Sequence, residues 1–187
     1  YDNDGDEDLY IVSGYLKDAL PITDFEDDRA NQLLDQPNLL LQNKGTGSFV
    51  DVSLGSGADD PGIGRGSAYL DFNNDGCLDL IMSNYGQDAR LLMNNCASGN
   101  NWLVVRAVGI PSNRDSIGAR IIVEVDGKKQ IREVSSGSSH MSQNMLESHF
   151  GVGAASVIDT VTVKWLNGES QTLTNVSANQ RLLVIKR

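Results

Sequence analysis

One stretch constrains the fold of this chain more than any other: Asp71-Phe72-Asn73-Asn74-Asp75-Gly76-Cys77-Leu78-Asp79. Calcium takes about 6–8 oxygen ligands at roughly 2.3–2.6 Å, and alternate side chains of a short loop can supply them. Gly76 stands at position 6, where the chain must bend sharply and a residue without Cβ bends at no steric cost. The spacing therefore predicts a calcium loop. Its expected ligands are the side chains of Asp71, Asn73, Asp75 and Asp79 and the carbonyl of Cys77.

The residues that follow this loop exclude an EF-hand. An EF-hand needs a bidentate Glu at position 12 and a helix after the loop. Position 12 is Met82, which does not bind a hard cation, and residues 78–83 are too few and too apolar for an amphipathic helix. We therefore expect the loop to lead into a buried strand.

The beginning of the chain repeats the same spacing. Positions 3, 5, 7 and 9 of this first loop are Asp2, Asp4, Asp6 and Asp8, while position 1 lies before Tyr1. We therefore expect the chain to be a fragment of a longer protein, with a first calcium site weakened unless water replaces the missing ligand. An Asp- and Gly-rich run can also be a solvated turn, but two matched copies that each precede an apolar run favour cation loops.

Composition narrows the class of protein. The net charge of −10 argues against nucleic acids and anionic membrane surfaces as partners, because cationic patches supply the attraction to both. No apolar segment approaches the roughly 20 residues of a membrane span, so no membrane insertion is expected. Nineteen Gly and few helix-favouring stretches predict an all-β chain with many turns.

The first half reads as two copies of one unit. Each copy has an acidic loop, a strand and a second strand, Asn-Leu-Leu-Leu-Gln-Asn at 38–43 and Arg-Leu-Leu-Met-Asn-Asn at 90–95. Residues 14–37 are predicted to be a surface insertion, with one possible short helix at 28–35. Repeated four-strand units are how a β-propeller is built, so residues 1–98 are predicted to be terminal propeller blades.

The second half, residues 99–187, lacks the acidic loops and has short strand-like runs joined by tight turns instead. It is predicted to be a separate small β-sandwich-like domain. Asp126-Gly127 and Asn167-Gly168 each lie between two strand-like runs and predict type I′ hairpins. Alternation in residues 160–165 places Val161, Val163 and Trp165 on a buried face.

Motifs in both halves resemble known families. The two acidic loops, with Gly64-Arg65-Gly66 before the second, resemble FG-GAP or VCBS-type repeats of integrin-α-like β-propellers. Residues 112–120 (Ser-Asn-Arg-Asp-Ser-Ile-Gly-Ala-Arg), 132–139, 142–144 and 149–153 resemble the ASPIC/UnbV domain, which follows such propellers in bacterial secreted proteins and in animal cartilage acidic proteins. The resemblance implies a calcium-bearing extracellular propeller end joined to a β domain, and it implies no reaction.

The two cysteines form a candidate disulfide. If residues 78–83 and 91–94 pair about a turn near Gly86-Gln87, the numbers of facing residues sum to about 173 or 174, and those of Cys77 and Cys96 sum to 173. Facing residues in antiparallel pairs lie about 4.5–5.5 Å apart, within the range that a disulfide accepts. Two free thiols remain the alternative, since the register of a hairpin can slip. A disulfide would indicate an oxidising compartment.

Catalytic readings are weaker. His140 and His149 are too few for a zinc site, which needs three or four convergent ligands. Ser139 and His140 are adjacent, and adjacent residues of an extended strand point to opposite faces, so they do not form a dyad. Carboxylates that neutralise calcium are poor general acids, because the cation lowers their pKa.

We therefore expect a non-catalytic, extracellular, periplasmic or cell-surface module for adhesion or ligand binding, which binds calcium as its cofactor and an extracellular protein or glycan as its partner. The ASPIC/UnbV-like domain is expected to pack beside the last blade. The alternative is an accessory domain of a secreted carbohydrate-active or biosynthetic enzyme.

Overall fold

A computed structural model describes residues 1–14, 36–111 and 113–186. Thirteen β-strands and no helix occur in these residues, which confirms the all-β class. The predicted insertion at 14–37, with its possible short helix at 28–35, lies almost entirely outside the described residues. The strands are β1 (Leu9–Ile11), β2 (Leu39–Asn43), β3 (Phe49–Asp51), β4 (Gly64–Leu70), β5 (Asp79–Asn84), β6 (Arg90–Leu92), β7 (Asn101–Val108), β8 (Arg120–Val125), β9 (Lys128–Glu133), β10 (Ser148–Gly153), β11 (Val157–Lys164), β12 (Ser170–Ser177) and β13 (Gln180–Ile185).

The strands before residue 99 form two antiparallel sheets, β1-β2-β3 and β4-β5-β6. The two acidic loops lead into equivalent strands of these sheets, since β1 and β5 each begin at the end of one loop. The two sheets meet at the side chain of Asn38. Its amide nitrogen lies 3.0 Å from the Tyr10 hydroxyl in the first sheet and 3.2 Å from the Met82 sulfur in the second. Met82 is 1% exposed but Ile81 is 43% exposed, so the strand after the second loop is buried on one face only, and the prediction of a buried strand is confirmed for that face.

Residues 101–185 form a β-sandwich of two sheets, ordered β10-β7-β13 and β12-β11-β8-β9. Strand β11 alternates between core and surface positions, and Val161, Val163 and Trp165 are buried as predicted. Strand β13 pairs parallel with β7 and brings the end of the chain back to the start of the sandwich. The buried core consists of Leu103, Val105, Ala107, Ala119, Ile121, Val123, Val134, Phe150, Val152, Ile158, Val161, Val163, Trp165, Val176 and Val184.

The two predicted hairpins are present, but their turns differ. At Asp126-Gly127 both residues have positive φ, 50° and 75°, as a type I′ turn requires. At Asn167-Gly168 only Gly168 has a positive φ, and the Gly168 N–H donates to the Trp165 carbonyl at 3.0 Å. The second connection is therefore a longer turn with one left-handed residue, and its type I′ prediction was wrong.

A short connection separates the two sets of sheets. Strand β6 ends at Leu92 and β7 begins at Asn101, and the named strands after this point pair only with one another in the described residues. The division into domains at 98/99 remains a prediction that this topology is consistent with. In the described part of the chain we find no helix long and apolar enough to cross a membrane.

Candidate metal-binding loops and their junction with the sandwich

The second acidic loop has a compact backbone held by its own side chains. Asn74 and Gly76 both have left-handed conformations, with φ of 60° and 85°. The Asp75 N–H donates to Asn73 Oδ1 at 3.1 Å, and the Cys77 N–H donates to Asp75 Oδ1 at 2.8 Å. Alternate side chains thus turn back onto the loop, as the spacing predicts.

The first acidic loop repeats this backbone residue for residue. Asn3 and Gly5 have φ of 60° and 96°. The Asp4 N–H donates to Asp2 Oδ1 at 3.2 Å, and the Asp6 N–H donates to Asp4 Oδ1 at 2.8 Å. The two loops therefore share one conformation, which the matched spacing of their acidic residues anticipates.

The last carboxylate of each loop connects the loop to the following strand pair. Asp8 Oδ1 accepts the Asn43 N–H at 2.8 Å, and Asp79 Oδ1 accepts the Asn94 N–H at the same distance. Asn94 therefore bonds the loop rather than the strand ladder, and β6 ends earlier than the predicted strand at 91–94. The register also differs from the predicted one, since Leu80 faces Leu92 and the numbers of facing residues sum to 172.

The donor set of the second loop fits calcium chemically. Its predicted ligands are carboxylates, an amide oxygen and a carbonyl, all hard oxygen donors. Counted over the whole residue, Asp79 is 0% and Asp71 is 8% exposed, while Asn73 and Asp75 are exposed. In the described residues no three acidic side chains bring their oxygens within 4.8 Å of one another. Ion binding therefore requires the ligand side chains to turn toward one common point.

Crowded negative charge is evident in the first loop. Partial burial raises the pKa of the Asp4 carboxyl above its ordinary value, and the charges of Asp2, Asp8 and Asp6 raise it further, whereas the Asp6 N–H opposes the shift. In the part of the chain that the structure describes, no Lys or Arg side chain pairs with the four predicted ligands of this loop. A bound cation would relieve this repulsion.

A cation from the sandwich reaches the second loop. Arg181, near the start of β13, places one guanidinium nitrogen 2.8 Å from Asp71 Oδ2, and the Asp71 side chain is 0% exposed. Asp71 also accepts the N–H groups of Asp75 and Gly76, each at 3.1 Å. The position 1 carboxylate is thus partly neutralised by protein. Nothing in the local sequence around Arg181 signals this role.

The loops also form the junction with the sandwich. The Gly76 carbonyl bonds His149 Nε2 at 2.9 Å and accepts the Asn3 amide at 3.2 Å, so one atom joins both loops to β10. The indole of Trp102 lies against Gly76 so closely that a Cβ there would overlap the ring. The Gly153 N–H donates to the Asn3 carbonyl at 2.9 Å. The sandwich therefore packs on both acidic loops.

The predicted disulfide between Cys77 and Cys96 is present, with Cα atoms 5.8 Å apart. Cys77 is 3% exposed, so this position lies in the protein and not in solvent. Asp75 lies beside the two sulfurs, but sulfurs bonded to each other are not thiolate ligands and the cluster is no metal site. The disulfide fits an oxidising compartment.

Of the two histidines, His149 is the one that bonds the second loop. Its burial lowers the pKa of the imidazole to about 4, although the bond to the Gly76 carbonyl opposes the shift. His140 is exposed, beside the bridge between Ser139 and Ser142. His149 therefore acts as a neutral hydrogen-bonding group between loop and sandwich, a role that the sequence did not indicate.

Comparison with known proteins extends this description. Residues 109–187 match the family model described as ASPIC and UnbV. A 64-residue segment is 44% identical to cartilage acidic protein 1 of the mouse, Mus musculus, and of the frog Xenopus tropicalis, and 42% identical to that of Homo sapiens. It covers 34% of this chain and 10% of each relative, so the match spans about a tenth of these curated relatives. The matches confirm the ASPIC/UnbV part of the resemblance, and with the disulfide they fit a secreted or extracellular protein.

Proposed function

We propose that this chain is a non-catalytic extracellular module in which two calcium loops of FG-GAP or VCBS type hold an ASPIC/UnbV sandwich on the end of a β-propeller. The observation that carries the proposal is the repetition of one loop structure. Both loops share left-handed residues at the same two positions, the same side-chain bonds to the backbone, and the same last carboxylate bonded to an Asn of the next strand pair.

The sheets support the propeller part of the proposal. Leu9 faces Leu41 in one sheet and Leu80 faces Leu92 in the other, which are equivalent registers. The first sheet adds β3 after this pair, whereas the second has β4 before it. Combined, they describe a four-strand unit whose first and second strands are joined by the acidic loop, as in a propeller blade.

Calcium in this proposal supplies structural charge neutralisation. Asp71, Asn73, Asp75, Asp79 and the Cys77 carbonyl would hold it in the second loop. Asp2, Asp4, Asp6 and Asp8 would hold it in the first. Both loops contact the sandwich, so fixing them also fixes the surface on which the sandwich rests. The partner is an extracellular protein or glycan, which the acidic surface favours over nucleic acid.

Thermal unfolding with and without calcium tests the proposal. The melting temperature should rise with calcium and fall with a chelator, because an ion that binds only the folded state stabilises it by mass action. Asp75→Asn removes one charged ligand while its amide oxygen can still accept the Cys77 N–H. It should weaken the calcium-dependent shift.

Asp88→Asn is the matched control, since Asp88 is exposed and lies outside both loops. It should leave the shift unchanged. A melting temperature of the wild-type protein that changes with neither calcium nor chelator would contradict the proposal.

A further inference from the structure

Arg181 distinguishes the two acidic loops from each other. In the second loop, its guanidinium lies 2.8 Å from Asp71 Oδ2, and Asp71 is a predicted calcium ligand. In the first loop, the nearest equivalent contact is from Arg132 to Glu7 at 2.6 Å, and Glu7 is not at a ligand position. Only the second loop, within the described residues, therefore has a sandwich cation on a ligand carboxylate.

Because Arg181 lies in the sandwich, its contact with Asp71 depends on how the sandwich packs against the second loop. Arg181 belongs to β13 and faces Val104 of β7, whose other neighbour is His149, the residue bonded to the Gly76 carbonyl. Its side chain is 36% exposed, whereas that of Asp71 is fully buried. The positive charge that pairs with the buried Asp71 carboxylate thus comes from a residue 110 positions away in the sequence.

We propose that Arg181 is an internal counter-cation that competes with calcium for Asp71 and lowers the calcium affinity of the second loop. The inference rests on the proposed function. A guanidinium and a calcium ion on one carboxylate repel each other, so each weakens the other's hold on Asp71. By linkage, calcium should loosen the Arg181 contact by the same factor by which Arg181 weakens calcium.

The test is a calcium titration of the whole chain followed by NMR at the amides of Gly76 and Gly5, which occupy position 6 of the second and first loops. Arg181→Gln should bind calcium at least roughly tenfold more tightly at Gly76, because a calcium ion and a guanidinium on one carboxylate repel each other by about that much even at the dielectric constant of water. Affinity at Gly5 should not change. Arg181→Lys keeps the charge and should stay near wild type.

Arg120→Gln is the charge-matched control, because Arg120 pairs with Glu133 in the other sheet of the sandwich. It should change neither affinity. If wild type binds calcium and Arg181→Gln binds with equal or lower affinity at Gly76, the inference is wrong and the proposed function stands. If neither protein binds calcium, both are wrong.

A second measurement covers the case in which Arg181→Gln does not fold. In the wild-type protein, the side-chain NMR signal of Arg181 should shift at the calcium concentrations that shift the Gly76 amide. A guanidinium signal that stays unmoved while Gly76 titrates would overturn the inference.

Discussion

Replacing Gly76 by Ala tests the contact between the second loop and the sandwich. Gly76 has a φ of 85°, and an added Cβ would overlap the indole of Trp102. The left-handed backbone costs an L-residue about 1–2 kcal/mol. Forcing an extra methyl group into a packed site costs about 1–3 kcal/mol more. We therefore expect Gly76→Ala to lower the free energy of unfolding by about 2–5 kcal/mol.

Gly86→Ala separates the two contributions. Gly86 also has a left-handed conformation, with φ of 65°, but nothing lies within 4 Å of an added Cβ there. It should cost only the backbone part, about 1–2 kcal/mol. Urea unfolding monitored by tryptophan fluorescence measures both variants. Equal losses of stability in the two variants would refute the close approach of Trp102 to the loop.

Two further predictions concern the same junction. Replacing Cys77 and Cys96 together by Ser should lower the free energy of unfolding by about 3 kcal/mol, because the disulfide closes a loop with a sequence separation of 19. Urea unfolding of this variant, compared with that of the reduced and the oxidised wild-type protein, measures the loss. A reduced wild-type protein that keeps its full stability would contradict the prediction. The pKa of His149 is lowered to about 4, so the unfolded chain binds its proton first and wild-type stability should fall as pH drops from about 6.5 toward 4. The loss should reach about 2 kcal/mol by about pH 5 relative to His149→Gln; parallel pH profiles of the two proteins would show that burial of His149 is not responsible.

Local patterns in the sequence predicted the local structure well. The loop spacing around Gly76 and Gly5, the alternation at Val161 and Val163, and the Asp126-Gly127 turn each depend on neighbouring residues, which the sequence displays directly. The disulfide was also predictable, because one hairpin brings its cysteines together even though the register differs from the predicted one.

Contacts between distant segments were not predictable in this way. Arg181 contacts Asp71 only because β13 returns to pair with one edge of β7. His149 contacts Gly76 because β10 pairs with the other edge of β7, the strand that contains Trp102. No periodic pattern in the sequence encodes that arrangement. The type of the second hairpin turn depended on backbone angles at Asn167 that the dipeptide alone does not determine.

Terbium luminescence is the most direct test of calcium binding. Terbium is a hard cation that replaces calcium at oxygen sites and emits when a nearby indole is excited. The indole of Trp102 lies against Gly76, so terbium bound in the second loop should emit on tryptophan excitation, and calcium should displace it. Trp102→Phe should weaken the emission, since only Trp165 then remains to be excited. Absence of emission from the folded wild-type protein, or emission that Asp75→Asn leaves unchanged, would contradict a calcium site in this loop.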